Sequence, residues 1–181
     1  MKNVLIFLII MFSFFKNASA EYNQLAYDFK FKSIDGKLID LSNFKDNVIL
    51  VVNVASRCGF TNQYNDLQDI WNSHQDKGLV VLGVPTNDFK QEPGSNKDIQ
   101  DFCETNFDIN FPMTEKTHVI GTNSHPFYQW AKENYGKSAV PKWNFHKIII
   151  GKDGKVADTF SSITNPNSKR FLSKINELIK N

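Results

Sequence analysis

Two branched apolar runs dictate the architecture. Val48 to Val54 is interrupted only at Asn53, and Leu79-Val80-Val81-Leu82-Gly83-Val84 is the second such run. Runs of this length without polar alternation belong to strands covered on both faces. Between them Tyr64, Leu67 and Trp71 recur at helical spacing behind the cap pair Thr61-Asn62, so a helix is predicted over about residues 62–76, stopped by Gly78. Strand, helix and strand in that order make a parallel pair with a right-handed crossover, and hence an α/β sheet.

The rest of the chain dresses that sheet. Residues 29–41 alternate around Asp35-Gly36 and read as a β-hairpin. Ser95-Asn96-Lys97-Asp98 has the form of a capping box, opening a helix whose apolar points are Ile99, Phe102, Cys103 and Phe107. A further helix over Pro126 to Tyr135 leads to a strand at Phe145 to Ile150. That strand turns through Lys152-Asp153-Gly154-Lys155 into Val156 to Phe160, an antiparallel hairpin at a sheet edge. Phe171, Leu172, Ile175, Leu178 and Ile179 form the stripe of a closing helix. There is no repeat, low-complexity stretch or linker, so residues 21–181 read as one domain.

Residues 1–20 read as a signal peptide: a basic start, an apolar stretch from Val4 to Phe15 that is short for a membrane span, and Ala18-Ser19-Ala20 as the cleavage signal. An uncleaved anchor is the alternative. The formal charge of +2 comes from 21 basic and 19 acidic residues; Lys2 and Lys16 lie in the leader, so the remainder is balanced and gives no case for a nucleic-acid partner. An exported chain, periplasmic or secreted, meets an oxidising compartment. There two cysteines are too few for a disulfide scaffold but enough for one simple Cys58–Cys103 bond.

Cys58 follows the first buried strand at the turn into a helix, where free N–H groups and the helix dipole favour negative charge. It can equally be a small core residue. At the same edge lie the polar turn Pro85 to Gly94, after the neighbouring parallel strand, and Trp143-Asn144, before an antiparallel one. Gln91, Trp143 and Asn144 carry neutral N–H donors, which stabilise a thiolate without titrating and bind a peroxide oxygen as the O–O bond breaks. Taken singly, Trp143 also fits a core aromatic, and Gln91 and Asn144 fit turn hydrogen bonding.

Asn53-Val54-Ala55-Ser56-Arg57-Cys58-Gly59, Gln91-Glu92-Pro93-Gly94 and Trp143-Asn144-Phe145 together resemble, in order, the motifs of the glutathione peroxidase family in its cysteine form. The similarity runs from about Tyr27 to the end. It implies a thioredoxin-like fold, with a central mixed sheet flanked by helices and an extra N-terminal β-hairpin. It also implies Cys58, Gln91, Trp143 and Asn144 as a catalytic tetrad, Cys103 as the resolving thiol, and no cofactor or metal. The implied partners are a hydroperoxide substrate and a thioredoxin-like protein or glutathione as reductant, the former favoured for a two-cysteine member. The compact length implies a monomer. In one respect the chain departs from the pattern: a single residue, Lys90, separates Phe89 from Gln91 where many members have two. Thr86 stands where some relatives have cysteine.

The helical spacing of Cys103 from Ile99 puts it on an apolar face, so bridging to Cys58 requires residues 96–107 to unwind locally. A thioredoxin-type disulfide exchanger is the nearest rival, but Thr61 stands where its second cysteine belongs. A peroxiredoxin activates its cysteine with a different motif, and a single-turnover peroxide sensor is a further alternative. The four histidines and two cysteines show no paired ligand spacing, which argues against a metal carrier. His146 keeps a possible place at the site because it neighbours the third motif.

Overall fold

The computed structural model describes residues 22–181; the expected signal peptide and its expected cleavage site after Ala20 lie outside them. The segment around Asp35-Gly36 forms an antiparallel hairpin, β1 (Lys30–Lys32) and β2 (Leu38–Asp40), with Gly36 in its turn at φ 86°. A side chain is strained at that angle, whereas glycine is not. The two apolar runs become β3 (Val48–Val54) and β4 (Leu79–Pro85), buried throughout and joined by α1 (Gln63–His74). They pair in parallel, from Val48 opposite Leu79 to Val54 opposite Pro85. The strands β5 (Lys147–Ile150) and β6 (Val156–Phe160) add antiparallel, giving the order β4-β3-β5-β6 with the last hairpin at the edge.

Because strand side chains alternate, the sheet carries an apolar core on each face. Val48, Leu50, Val52 and Val54 point to one, covered by α1, α2 (Asn96–Phe107) and α4 (Lys169–Lys180). Ile49 and Val51 point to the other, covered by α3 (Pro126–Tyr135) and the hairpin. The expected capping box opens α2: Ser95 Oγ accepts the Asp98 N–H at 3.2 Å and Asp98 Oδ2 accepts the Ser95 N–H at 2.8 Å.

Two boundaries differ from expectation. Asn62 already has helical dihedrals and makes no side-chain cap; tight turns from Gln63 N–H to Phe60 O and from Tyr64 N–H to Thr61 O satisfy those donors instead. The strand predicted from Phe145 starts at Lys147, because Phe145 lies in the left-handed region at φ 63° and breaks the ladder.

Lys147 itself is fully buried, and its Nζ donates to Gln63 Oε1 at 2.5 Å and Thr164 O at 2.7 Å, both neutral acceptors. Burial pulls its ammonium from 10.5 down to about 7, opposed only by the field of Asp66. The folded value lies below the unfolded one, so between them the unfolded chain holds more protons and stability rises with pH. A rise of about 2 kcal/mol from pH 6 to 8.5 is expected from this group. Urea denaturation of Lys147→Met, compared with the native chain at both pH values, should lack that increment; an identical pH slope would refute it.

Candidate active site

Between β3 and α1 the chain folds into a knot of short turns around Cys58. The Thr61 hydroxyl lies 3.0 Å from Ala55 O and 2.7 Å from Cys58 O, and accepts the Cys58 N–H at 3.1 Å. Thr61 is thus spent on the loop, which is the physical reason it does not cap α1. Cys58 is only 8 % exposed, and its Sγ accepts the Phe60 N–H at 3.4 Å.

The shortened loop before Gln91 closes because Lys90 adopts φ 59°, a left-handed conformation costing a non-glycine residue about 1 kcal/mol. Its N–H donates to Asn87 O at 2.9 Å, and Asn87 Oδ1 accepts the Glu92 N–H at 3.0 Å. The loop is then stitched to the Cys58 segment: the Arg57 N–H donates to Gln91 O at 3.1 Å, and Glu92 Oε2 accepts both the N–H and the hydroxyl of Ser56, at 2.7 and 2.9 Å. Glu92 is buried, and desolvation raises its carboxyl above the usual range despite the Ser56 donors and the nearby Lys116 and Arg57.

Asn144, completely buried, donates from Nδ2 to Gln91 Oε1 at 3.0 Å. That bond fixes the Gln91 amide with Oε1 occupied, leaving its Nε2 donors for another partner. Trp143 is 40 % exposed, so it is a rim residue and not a core aromatic; its ring meets Phe89 with centroids 5.5 Å apart. Asn53 secures this segment from β3: its Nδ2 donates to Trp143 O at 3.1 Å and its carbonyl accepts the Phe145 N–H at 2.6 Å. The structure therefore brings Gln91, Trp143 and Asn144 to the end of the sheet where Cys58 sits. Among the described residues, the one hydrogen-bond donor to Sγ is the Phe60 N–H; none of the three side chains bonds it directly.

Both thiols are free, so the simple disulfide expected of an exported chain is not formed in this state. Cys103, on α2, is 2 % exposed, and burial pushes its thiol up to about 11. A cleft of about 140 Å³ separates the Cys58 loop from the first turns of α2, lined by Arg57, Glu92, Asp98 and Phe102 among others. His146 lines a separate pocket with Ser138, Lys142 and Ser162.

A family model described as glutathione peroxidase matches residues 26–132. The chain belongs to the glutathione peroxidase family. The "Glutathione peroxidase-like peroxiredoxin 2" of Saccharomyces cerevisiae is 42 % identical over 147 residues, covering 78 % of this chain and 90 % of the relative. The "Hydroperoxy fatty acid reductase gpx1" of Synechocystis is 40 % identical over 157 residues, covering 82 % and 93 %. The crystal structure of T. cruzi GPX1 superposes with a TM-score of 0.67 at 30 % identity, covering 87 % of this chain and 97 % of that one. The fold is thus thioredoxin-like, with the hairpin β1–β2 ahead of the sheet, and this member of the family is a thiol peroxidase, an oxidoreductase acting on hydroperoxides.

Two members of the site escaped the sequence reading. Asn53 carried a signal, since it is the sole polar residue inside an apolar strand. Glu92 carried a weaker one, as the acid beside Gln91, but its hold on Ser56 exists only across the folded loops.

Proposed function

We propose that Cys58 is the peroxidatic nucleophile, with Gln91, Trp143 and Asn144 as its polar surround. The thiolate attacks the distal oxygen of a hydroperoxide, the O–O bond breaks, and the departing alkoxide takes a proton to leave as an alcohol or water. Cys58 is left as a sulfenic acid. The observation carrying this reading is the Asn144–Gln91 bond beside a loop tied to the Cys58 segment through Arg57, an arrangement that presents neutral donors where charge develops. Gln91 is half-buried, so Gln91→Ala should fold normally yet slow single-turnover oxidation of Cys58 by about tenfold to a hundredfold. An unchanged oxidation rate would remove Gln91 from the site.

Cys103 then attacks the sulfenic sulfur, expelling water and closing the Cys58–Cys103 disulfide. Of α2, only Ile99 and Cys103 are buried, anchors worth on the order of 3–5 kcal/mol, so local release of this helix is energetically accessible. A thioredoxin-like dithiol reopens the disulfide in preference to glutathione, the chain acts as a monomer, and it works outside the cytosol after cleavage near Ala20. Substrates include hydrogen peroxide and organic hydroperoxides, lipid ones among them. The name of the Synechocystis relative and the exposed Trp143–Phe89 lip support the lipid class. The test is peroxide consumption with thioredoxin and glutathione in parallel. Turnover with thioredoxin is expected, whereas activity with neither would favour a single-turnover sensor.

A further inference from the structure

Tyr64 is the sixth residue after Cys58 and stands in the first turn of α1, fully buried. Its ring packs between Phe107 at the end of α2, 5.2 Å away, and Phe145 beside Asn144, 5.3 Å away and edge-on. It therefore joins the helix that follows the Cys58 loop, the helix carrying Cys103 and the third motif. Its hydroxyl has no hydrogen-bond partner of ordinary geometry. A buried hydroxyl without a partner costs roughly 1–3 kcal/mol and calls for an explanation.

The groups around that hydroxyl supply one. Tyr64 shares one buried cluster with Cys58 and Cys103, and its hydroxyl lies within the fields of Cys103, Glu92 and Cys58. Around Cys103, burial and the charges of Glu92 and Glu104 all oppose a thiolate; the Tyr64 hydroxyl alone favours it. Burial keeps the phenol itself protonated far above neutrality, so it remains a donor whenever the enzyme works.

We infer that Tyr64 is a catalytic residue of the second chemical step, its O–H donating to the Cys103 sulfur as that sulfur attacks the Cys58 sulfenic acid. This rests on the proposed resolving role of Cys103. In the step, the Cys103 S–H proton passes to the departing hydroxyl, the Cys58 S–O bond breaks, the S–S bond forms and water leaves. No other oxidant or reductant is needed. The Tyr64 O–H keeps its own proton and stabilises the charge that builds on Cys103 between loss of its proton and closure of the bond. The residue is suited to this because short turns tie it to the Cys58 loop. It therefore stays beside Cys58 when α2 loosens, and the Cys103 thiol meets the same hydroxyl on arrival.

The test is Tyr64→Phe, which keeps the ring packing and removes only the unpartnered hydroxyl. One equivalent of peroxide is added and the reaction quenched with an alkylating agent. Cys58 oxidation and the intramolecular disulfide are then followed by mass across pH 6–9. The expected result is unchanged Cys58 oxidation and unchanged or higher thermal stability, with disulfide closure slowed about tenfold at neutral pH and its pH profile moved upward. A purely structural role would leave that profile in place. Closure in Tyr64→Phe matching the native chain at every pH overturns the inference while sparing the resolving role of Cys103. Absence of the disulfide in the native chain overturns both.

Discussion

Replacing Cys58 by serine is expected to reduce peroxide consumption to the uncatalysed background, a loss of about a thousandfold or more. Serine has nearly the same size, and Sγ makes one hydrogen bond, so the Phe60 N–H retains an oxygen acceptor and the fold survives. The loss is therefore chemical: an alcohol oxygen is a poor nucleophile at neutral pH, and nothing near it, among the described residues, is placed as a general base. The measurement is peroxide loss with thioredoxin present, beside circular dichroism to confirm folding. Equal rates in the two chains would sink the assignment of Cys58 and reopen the disulfide-exchange reading.

Cys103→Ser should split the cycle in two. A single addition of peroxide should oxidise Cys58 as fast as in the native chain, because Cys103 is buried on α2 and takes no part in binding peroxide. Steady-state turnover with thioredoxin should then fall by about a hundredfold, with the Cys58 sulfenic acid accumulating and trappable by a dimedone-type reagent. Serine cannot form the disulfide that thioredoxin reduces. Undiminished turnover would show that the donor attacks the sulfenic acid directly, and would make Cys103 the core residue that its burial alone describes.

Much of the scaffold was legible because its signals are local. Branched runs long enough to be buried on both faces, a capping box at Ser95–Asp98 and a glycine at 36 each encode an element within a few residues. The three motifs also allowed Cys58, Gln91, Trp143 and Asn144 to converge at one sheet edge, and the order β4-β3-β5 puts the ends of β3 and β4 beside the approach to β5. What periodicity missed depended on partners far along the chain. Thr61 looked like a cap but is drawn into the Cys58 loop. Phe145 looked like a strand residue but turns left-handed, with its N–H on Asn53 and its ring on Tyr64. Lys147 sat in a strand pattern with no hint that Gln63 and Thr164 would hold its ammonium in the core.

The sequence by itself determined the class of fold and singled out Cys58, Gln91, Trp143 and Asn144 as candidates, because strand burial and motif chemistry are written in short stretches. Only the tertiary structure decided that the shortened loop reaches the site. It does so through a left-handed Lys90 and an Asn144–Gln91 bond, neither of which any local pattern encodes. It also set Tyr64 in one core with Cys103, joining helices that meet only once both have packed on the same face of the sheet. The physical reason is common to both: backbone preference acts over a few residues, whereas hydrogen-bond satisfaction and burial are settled by whatever the completed fold brings near.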